Sequence, residues 1–310
     1  MYDLRTDVSA DVLYSRNDSN DPHLGDRVKI DRAEYDECDT VLLGCPQDEG
    51  VRRNKGRPGA RKAPDAIRQQ LYKLGVFGMD HVSLFDLGDT IVEGNLEAIH
   101  ERHQRIVETV LRDDKRLIVL GGGNDISYPD AAGLAQVEPQ SAAVNIDAHF
   151  DVRADTPRNS GTPYRQLLSE GHLIPERFFE VGYQPYANSP AYFEYLADLS
   201  VRAVSRDKVQ QRGIERVLSE FTDTSGAALF WGLDMDAVRA SDAPGVSAPN
   251  ANGLAGADLI DAARVAGGDP RTRVFEITEV NPQYDIDNRT SRLAAVVIWH
   301  FLHTKHPQLP

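Results

Sequence analysis

Two short segments of the chain concentrate residue types that bind metal ions. Asp147-Ala148-His149-Phe150-Asp151 follows an apolar run at 142–146, and Asp234-Met235-Asp236 follows another at 227–233. Alternating residues of an extended segment point the same way. The spacing therefore places Asp147, His149 and Asp151 on one face, and Asp234 beside Asp236. Four carboxylates and one imidazole gathered this closely repel one another unless a cation sits among them. Hard oxygen donors with a minority of imidazole suit manganese better than zinc or copper. Two ions with bridging carboxylates would fit so acidic a cluster, and such a pair generates hydroxide at neutral pH. A lone D-x-D is more often a solvated strand end or a helix cap. Two such segments, each directly after a buried strand, point to metal.

The elements that must hold these residues are legible as runs and periods. Apolar runs at 40–44, 116–120, 142–146, 227–233 and 274–277 are continuous and end in glycine or acids, as strands buried on both faces do. Helical spacing recurs at 64–74, 95–111 and 289–302. Strands of this kind separated by helical stretches predict a single α/β domain, a three-layer α/β/α arrangement with a mainly parallel central sheet. In such sheets ligands bind at the carboxyl ends of the strands, where the two acidic segments fall. Residues 1–36 are polar, with Asn17 to Pro22 unbroken by an apolar residue, and read as an irregular N-terminal arm before a domain at 37–310.

Composition narrows the function classes. The chain has 310 residues, with 48 Asp and Glu against 34 Lys and Arg. A basic stripe is absent, so nucleic acid is not an expected partner. No apolar stretch approaches the ~18 residues of a membrane span, and the N-terminus lacks a secretion signal. A soluble, cytoplasmic protein is expected. Cys38 and Cys45 are the two cysteines, read as reduced thiols in or near the first long strand.

Taken together the motifs resemble the arginase, or ureohydrolase, family. Asp147-Ala148-His149-Phe150-Asp151 is similar to the family's D-A-H-x-D ligand segment. Asp234-Met235-Asp236, followed by Asp242-Ala243-Pro244-Gly245, resembles its second, and Glu279-Val280-Asn281-Pro282 its late E-V-N-P. Residues 50–68 resemble its early glycine-rich loop and helix. The resemblance implies an arginase-like fold with two Mn2+ ions bridged by Asp147 and Asp234. His149 and Asp236 would complete one shell, and Asp151 would bind the other ion and orient the hydroxide. Glu279 would pair with a cationic amidine or guanidine. The family often forms trimers or hexamers, so a homo-oligomer is compatible with the resemblance, although no interface signal stands out.

One position departs from the family. After Gly121-Gly122-Gly123 a histidine ligand is usual, and this chain has Asn124 and then Asp125. A carboxamide oxygen is a neutral and poorer donor, so one metal position should bind weakly. Asp125 should point to the other side. The loop Asn159 to Arg165 and the segment Gly182 to Ser189 resemble those of formimidoylglutamases of histidine degradation. The implied reaction is N-formimidoyl-L-glutamate and water to L-glutamate and formamide. The alternatives are agmatine, arginine or another guanidine as substrate, or a non-catalytic relative that keeps the fold. A dicarboxylate substrate needs local cations, and Arg153, Arg165, Arg158 and Arg57, with Asn159, are the candidates. His81, His100, His103 and His172 have no partner at ligand spacing and read as solvated. His300, His303 and His306 read as a surface cluster, and Trp231 as core.

Overall fold

The computed structural model describes residues 1–225 and 227–305. Among the described residues one sheet of nine strands runs through the molecule. Its strands are β1 (Arg5–Thr6), β2 (Thr40–Gly44), β3 (Leu84–Thr90), β4 (Arg116–Leu120), β5 (Ala142–Ile146), β6 (Phe178–Tyr183), β7 (Arg202–Ser205), β8 (Leu229–Asp234) and β9 (Thr272–Thr278). Their order is β1-β3-β2-β4-β9-β8-β5-β6-β7. All neighbours pair in parallel except β1, which is antiparallel to β3.

Parallel pairing requires crossovers, and the crossover helices cover both faces. The side-chain period of two then divides each strand between two cores. Val41, Leu43, Leu117 and Val119 enter one, while Leu42, Ile118 and Leu120 enter the other. Both faces are dry, which is why these strands read as unbroken apolar runs. The expected α/β architecture with a mainly parallel sheet is the observed one.

The helix Leu96–Arg112 shows how local chemistry sets an element. Asn95 caps it, its side chain accepting from the Ala98 N–H at 2.9 Å. Leu96, Ile99, Ile106, Val107 and Val110 form its buried stripe, and His100 and His103 lie on the same stripe. The closing helix Arg289–His303 buries Ala294, Val297, Ile298 and Phe301, with Phe301 stacked on Phe275 of β9 at 4.2 Å. Residues 1–36 run along the sheet edge. β1 pairs with β3, and Val12, Leu24 and Tyr35 are buried.

What matters for function is that β4, β9, β8 and β5 are four consecutive neighbours. Being parallel, they deliver their carboxyl ends to one edge, and strand spacing of about 4.8 Å keeps those ends within reach of one another. Asn124, Glu279 and Asp147 follow the ends of β4, β9 and β5, and Asp234 is the last residue of β8.

Candidate active site

Each acidic segment folds back on itself as it leaves its strand. The Asp147 carboxylate accepts the His149 N–H at 2.7 Å, and the Asp234 carboxylate accepts the Asp236 N–H at 2.7 Å. These are Asx turns, in which a side chain takes the backbone donor two residues on. The extended geometry expected for residues 147–151 is thus not observed. The strand ends at Ile146, and Asp151 sits in the left-handed region with φ 46°. The side chains converge all the same, because the turn rather than the pleat brings residue i beside residue i+2.

The result is two ligand-like groups that share one residue. Donor atoms of Asp147, His149 and Asp236 lie within 4.8 Å of one another, and so do those of Asp147, Asp151 and Asp234. His149 Nδ1 is 3.2 Å from an Asp236 oxygen, and that neighbour holds the imidazole pKa well above its usual range. Burial, then the adjacent Asp236, pushes Asp147 up to about 6. Burial also raises Asp151, with Asp147 beside it, and Asp234, with Asp236 beside it. Asp236 Oδ1 is buried without a hydrogen-bond partner. Buried acids that repel and retain unpaired oxygens fit a divalent cation, and the carboxylate-rich donor set with one imidazole suits manganese.

Asn124 joins this cluster. Its Nδ2 is 2.7 Å from an Asp151 oxygen and 3.3 Å from Asp147. Asp125 turns the other way, as expected, and accepts from Gln47 at 2.8 Å. The turn that leads into them needs Gly122, since a Cβ there would lie 1.6 Å from the Gln47 carbonyl oxygen. Glu279, at φ 62°, accepts the Asn124 N–H at 2.9 Å and the Ser247 hydroxyl. Burial pushes the Glu279 carboxyl up to about 8. Two non-glycine residues at positive φ beside one cavity mark backbone strain held by its surroundings.

A cavity of about 380 Å³ opens over these groups. Its lining includes the acidic cluster, His149, Asp151, Asp234, Asp236 and Glu279, together with Asn54, Lys55, Arg153, Ser160 and Tyr192. Lys55 and Arg153 are exposed and make no ion pair among the described residues. The two loops are tied by Asn54 to Ser160 at 3.0 Å.

Other expected contacts fall elsewhere. Arg165 does not reach the cavity, because its Nε donates to the Val152 carbonyl at 2.9 Å and its guanidinium lies over Tyr195. Asn159 is buried and shapes its own loop, accepting from the Gly161 N–H at 2.9 Å. Arg158 stacks on Tyr128, and Arg57 braces the Val246 and Ser247 carbonyls. The reading of His100 and His103 as solvated is overturned. Both are buried, His100 paired with Asp125 at 2.7 Å and His103 with Asp130 at 2.8 Å. Their partners lie 25 and 27 residues away, beyond any local spacing rule. His172 lies 3.7 Å from Glu170, His303 stacks on Trp299, and His306 falls outside the described residues. Trp231 is core, and both cysteines are buried and free. Lys55, Ser247, Ser127 and Thr278 carried no motif that would have singled them out.

Comparison with known proteins agrees with this geometry. The Arginase family model matches residues 38–304. A formimidoylglutamase of Rhodococcus jostii (strain RHA1) is 35% identical over 286 residues, covering 89% of this chain and 88% of that protein. The crystal structure of Trypanosoma cruzi formiminoglutamase with Mn2+ superposes with TM-score 0.88 at 33% identity, covering 93% of this chain and all of that one. The Bacillus subtilis formimidoylglutamase structure gives 0.86 at 29% identity, with 94% of each chain covered.

Proposed function

This chain belongs to the arginase family, and on that premise we propose that it hydrolyses N-formimidoyl-L-glutamate to L-glutamate and formamide with two manganese ions. The observation that carries this reading is the mixed lining of one cavity, where the acidic cluster is joined by two cations, Lys55 and Arg153, that make no ion pair among the described residues. Metals and an amidinium group suit the acids, and carboxylates suit the cations.

Asp147, His149 and Asp236 would hold one ion, and Asp147, Asp151 and Asp234, with Asn124, would hold the other. Two such ions supply an activated water and stabilise developing negative charge. Water adds to the formimidoyl carbon, the bond from that carbon to the glutamate nitrogen breaks, and the nitrogen takes up a proton. Asp151 orients the attacking water. Glu279, kept in place by Ser247 and the Asn124 N–H, pairs with the amidinium group. Burial raises its pKa, and the arriving cation restores its charged form. Arg153 and Lys55 receive the substrate carboxylates. The reaction belongs to histidine degradation, and the protein to the cytoplasm. Among the described residues no helix is long and apolar enough to cross a membrane.

The test is formamide release from N-formimidoyl-L-glutamate by protein loaded with Mn2+, alongside agmatine, arginine and simple guanidines. Turnover of the formimidoyl substrate with two ions per chain is expected. Urea release from a guanidine without formamide release would overturn the substrate assignment.

A further inference from the structure

Asn124 faces the acids on one side and a buried polar cradle on the other. Its carboxamide Oδ1 accepts from Ser127 Oγ at 3.0 Å and from Thr278 Oγ1 at 2.9 Å. Ser127 Oγ is also 2.7 Å from Glu276 Oε1. Asn124, Ser127, Thr278 and Glu276 are all buried. A carboxamide has a donor face and an acceptor face, and they exchange by a half-turn of the group. In the orientation described, Nδ2 donates to Asp151 and Asp147. A metal ion requires the opposite one, with Oδ1 toward the acids and Nδ2 toward the two hydroxyls.

The two hydroxyls respond differently to that half-turn. Thr278 makes one bond to Asn124 either way, donating in the first orientation and accepting in the second. Ser127 has one proton and two acceptors competing for it, Asn124 Oδ1 and Glu276 Oε1. Turned half-way round, Asn124 donates to Ser127, and the serine proton goes to Glu276 without competition. When Glu276 is ionised, or carries its proton on Oε2, its Oε1 remains an acceptor for Ser127, and the count holds in both of those states. Ser127 therefore gains one hydrogen bond when Asn124 presents its oxygen to the metal side, and Thr278 gains none.

We propose that Ser127, through its bond to Glu276, is a positioning residue that selects the metal-facing orientation of the Asn124 carboxamide. The inference rests on the reading of Asn124 as an ion ligand. The helix Ser127–Val137 begins at this serine, and β9 carries both Glu276 and Thr278. The orientation of one side chain is thus set by groups about 150 residues away in sequence.

The experiment is a titration of metal-free protein with Mn2+ alone, read by calorimetry and by the electron paramagnetic resonance of free Mn2+. Ser127→Ala should weaken the weaker ion by roughly three- to tenfold, the equivalent of one net hydrogen bond. The tighter ion should be unaffected, which also reports that the variant is folded. Ser127→Cys, close in volume and a poor donor, repeats the test if the alanine variant does not fold. Thr278→Val should leave both affinities unchanged. In an Asn124→Asp background the two oxygens are equivalent, no orientation remains to be chosen, and adding Ser127→Ala should have no effect. An unchanged affinity in Ser127→Ala, an equal loss in Thr278→Val, or a loss that persists beside Asp at 124 would each overturn the proposal. Asn124→Ala separates the two levels. If it leaves both ions unaffected, Asn124 is not a ligand. If it weakens one ion while Ser127→Ala is silent, the ligand assignment stands and the positioning role fails.

Discussion

Two regions of this sheet bury carboxylates, and they resolve the cost in opposite ways. Beside β3, Asp86 and Asp89 surround Arg68, which reaches Asp86 at 2.8 and 3.0 Å and Asp89 at 2.6 Å. Tyr72 and the Gly88 N–H complete the shell of Asp86. At the carboxyl ends of β5 and β8, four aspartates gather with His149, and among the described residues none of the four is in an ion pair with a lysine or an arginine. A buried acid that brings its own cation is a structural ion pair. Acids assembled without one are a receptor for a cation from solution.

The largest effect that could break this contrast is on the metal side. Asp234→Ala removes a proposed metal ligand. Metal content should fall below two ions and activity should drop by more than the roughly 10–100-fold that losing an outer partner costs. Full activity in that variant, measured by formamide release, would sink the binuclear reading. The converse holds on the structural side. Arg68→Met leaves two buried acids without their guanidinium and should destabilise the fold by about 3–5 kcal/mol. Mn2+ should bind the folded fraction with unchanged stoichiometry, so denaturant melts and metal analysis together separate the two kinds of acid.

The cations that line the cavity sharpen the comparison further. Arg153→Met should raise KM for N-formimidoyl-L-glutamate roughly tenfold, in keeping with a lost charged hydrogen bond, with kcat little changed. Arg165→Met should have no comparable effect on KM, since its guanidinium is occupied by Val152 and Tyr195.

The smallest expected effect is on pH dependence. Asp147 and Glu279 titrate in the folded, metal-free protein at about 6 and about 8, above their unfolded values. The folded state then holds more protons than the unfolded one, and the stability this contributes is lost as pH rises through 6 to 8. Metal-free protein should melt at a lower temperature at pH 8 than at pH 6, and saturating Mn2+ should reduce or reverse the difference. Equal melting temperatures at the two pH values without metal would show that the acids are not proton-bound in the fold. Buried His100 and His103, whose pKa values are lowered by burial, act in the opposite sense as pH rises through their unfolded value of about 6.5, and so offset part of the difference at the lower edge of this window.

The same contrast explains what could be read in the sequence. Strands β2 and β4 are visible to the residue because apolar runs fill them after a polar first residue, and β5 is visible although Asn145 stands within it. β3 is not, since Asp86 and Asp89 interrupt it, and only Arg68, distant in sequence, makes their burial tolerable. His100 and His103 look like surface residues for the same reason, as their acids come from another helix and loop. Arg153 and Arg165 are equivalent as letters in one loop, and the structure sends one to the cavity and the other to an aromatic ring.

By itself, then, the sequence determined whatever depends on residues one or two apart. The D-A-H-F-D and D-M-D segments fold back by local hydrogen bonds to their own backbone, so their side chains meet wherever the segments are placed. Tertiary structure decided which segments meet. The order β4-β9-β8-β5 joins strand ends up to about 160 residues apart, and no spacing in the chain encodes that neighbourhood. It also decided the surroundings of Asn124, whose hydroxyl partners Ser127 and Thr278 come from a helix and a strand packed together. Hydrogen bonds and buried charges act over a few ångströms, and only the packed fold sets which groups lie within that range.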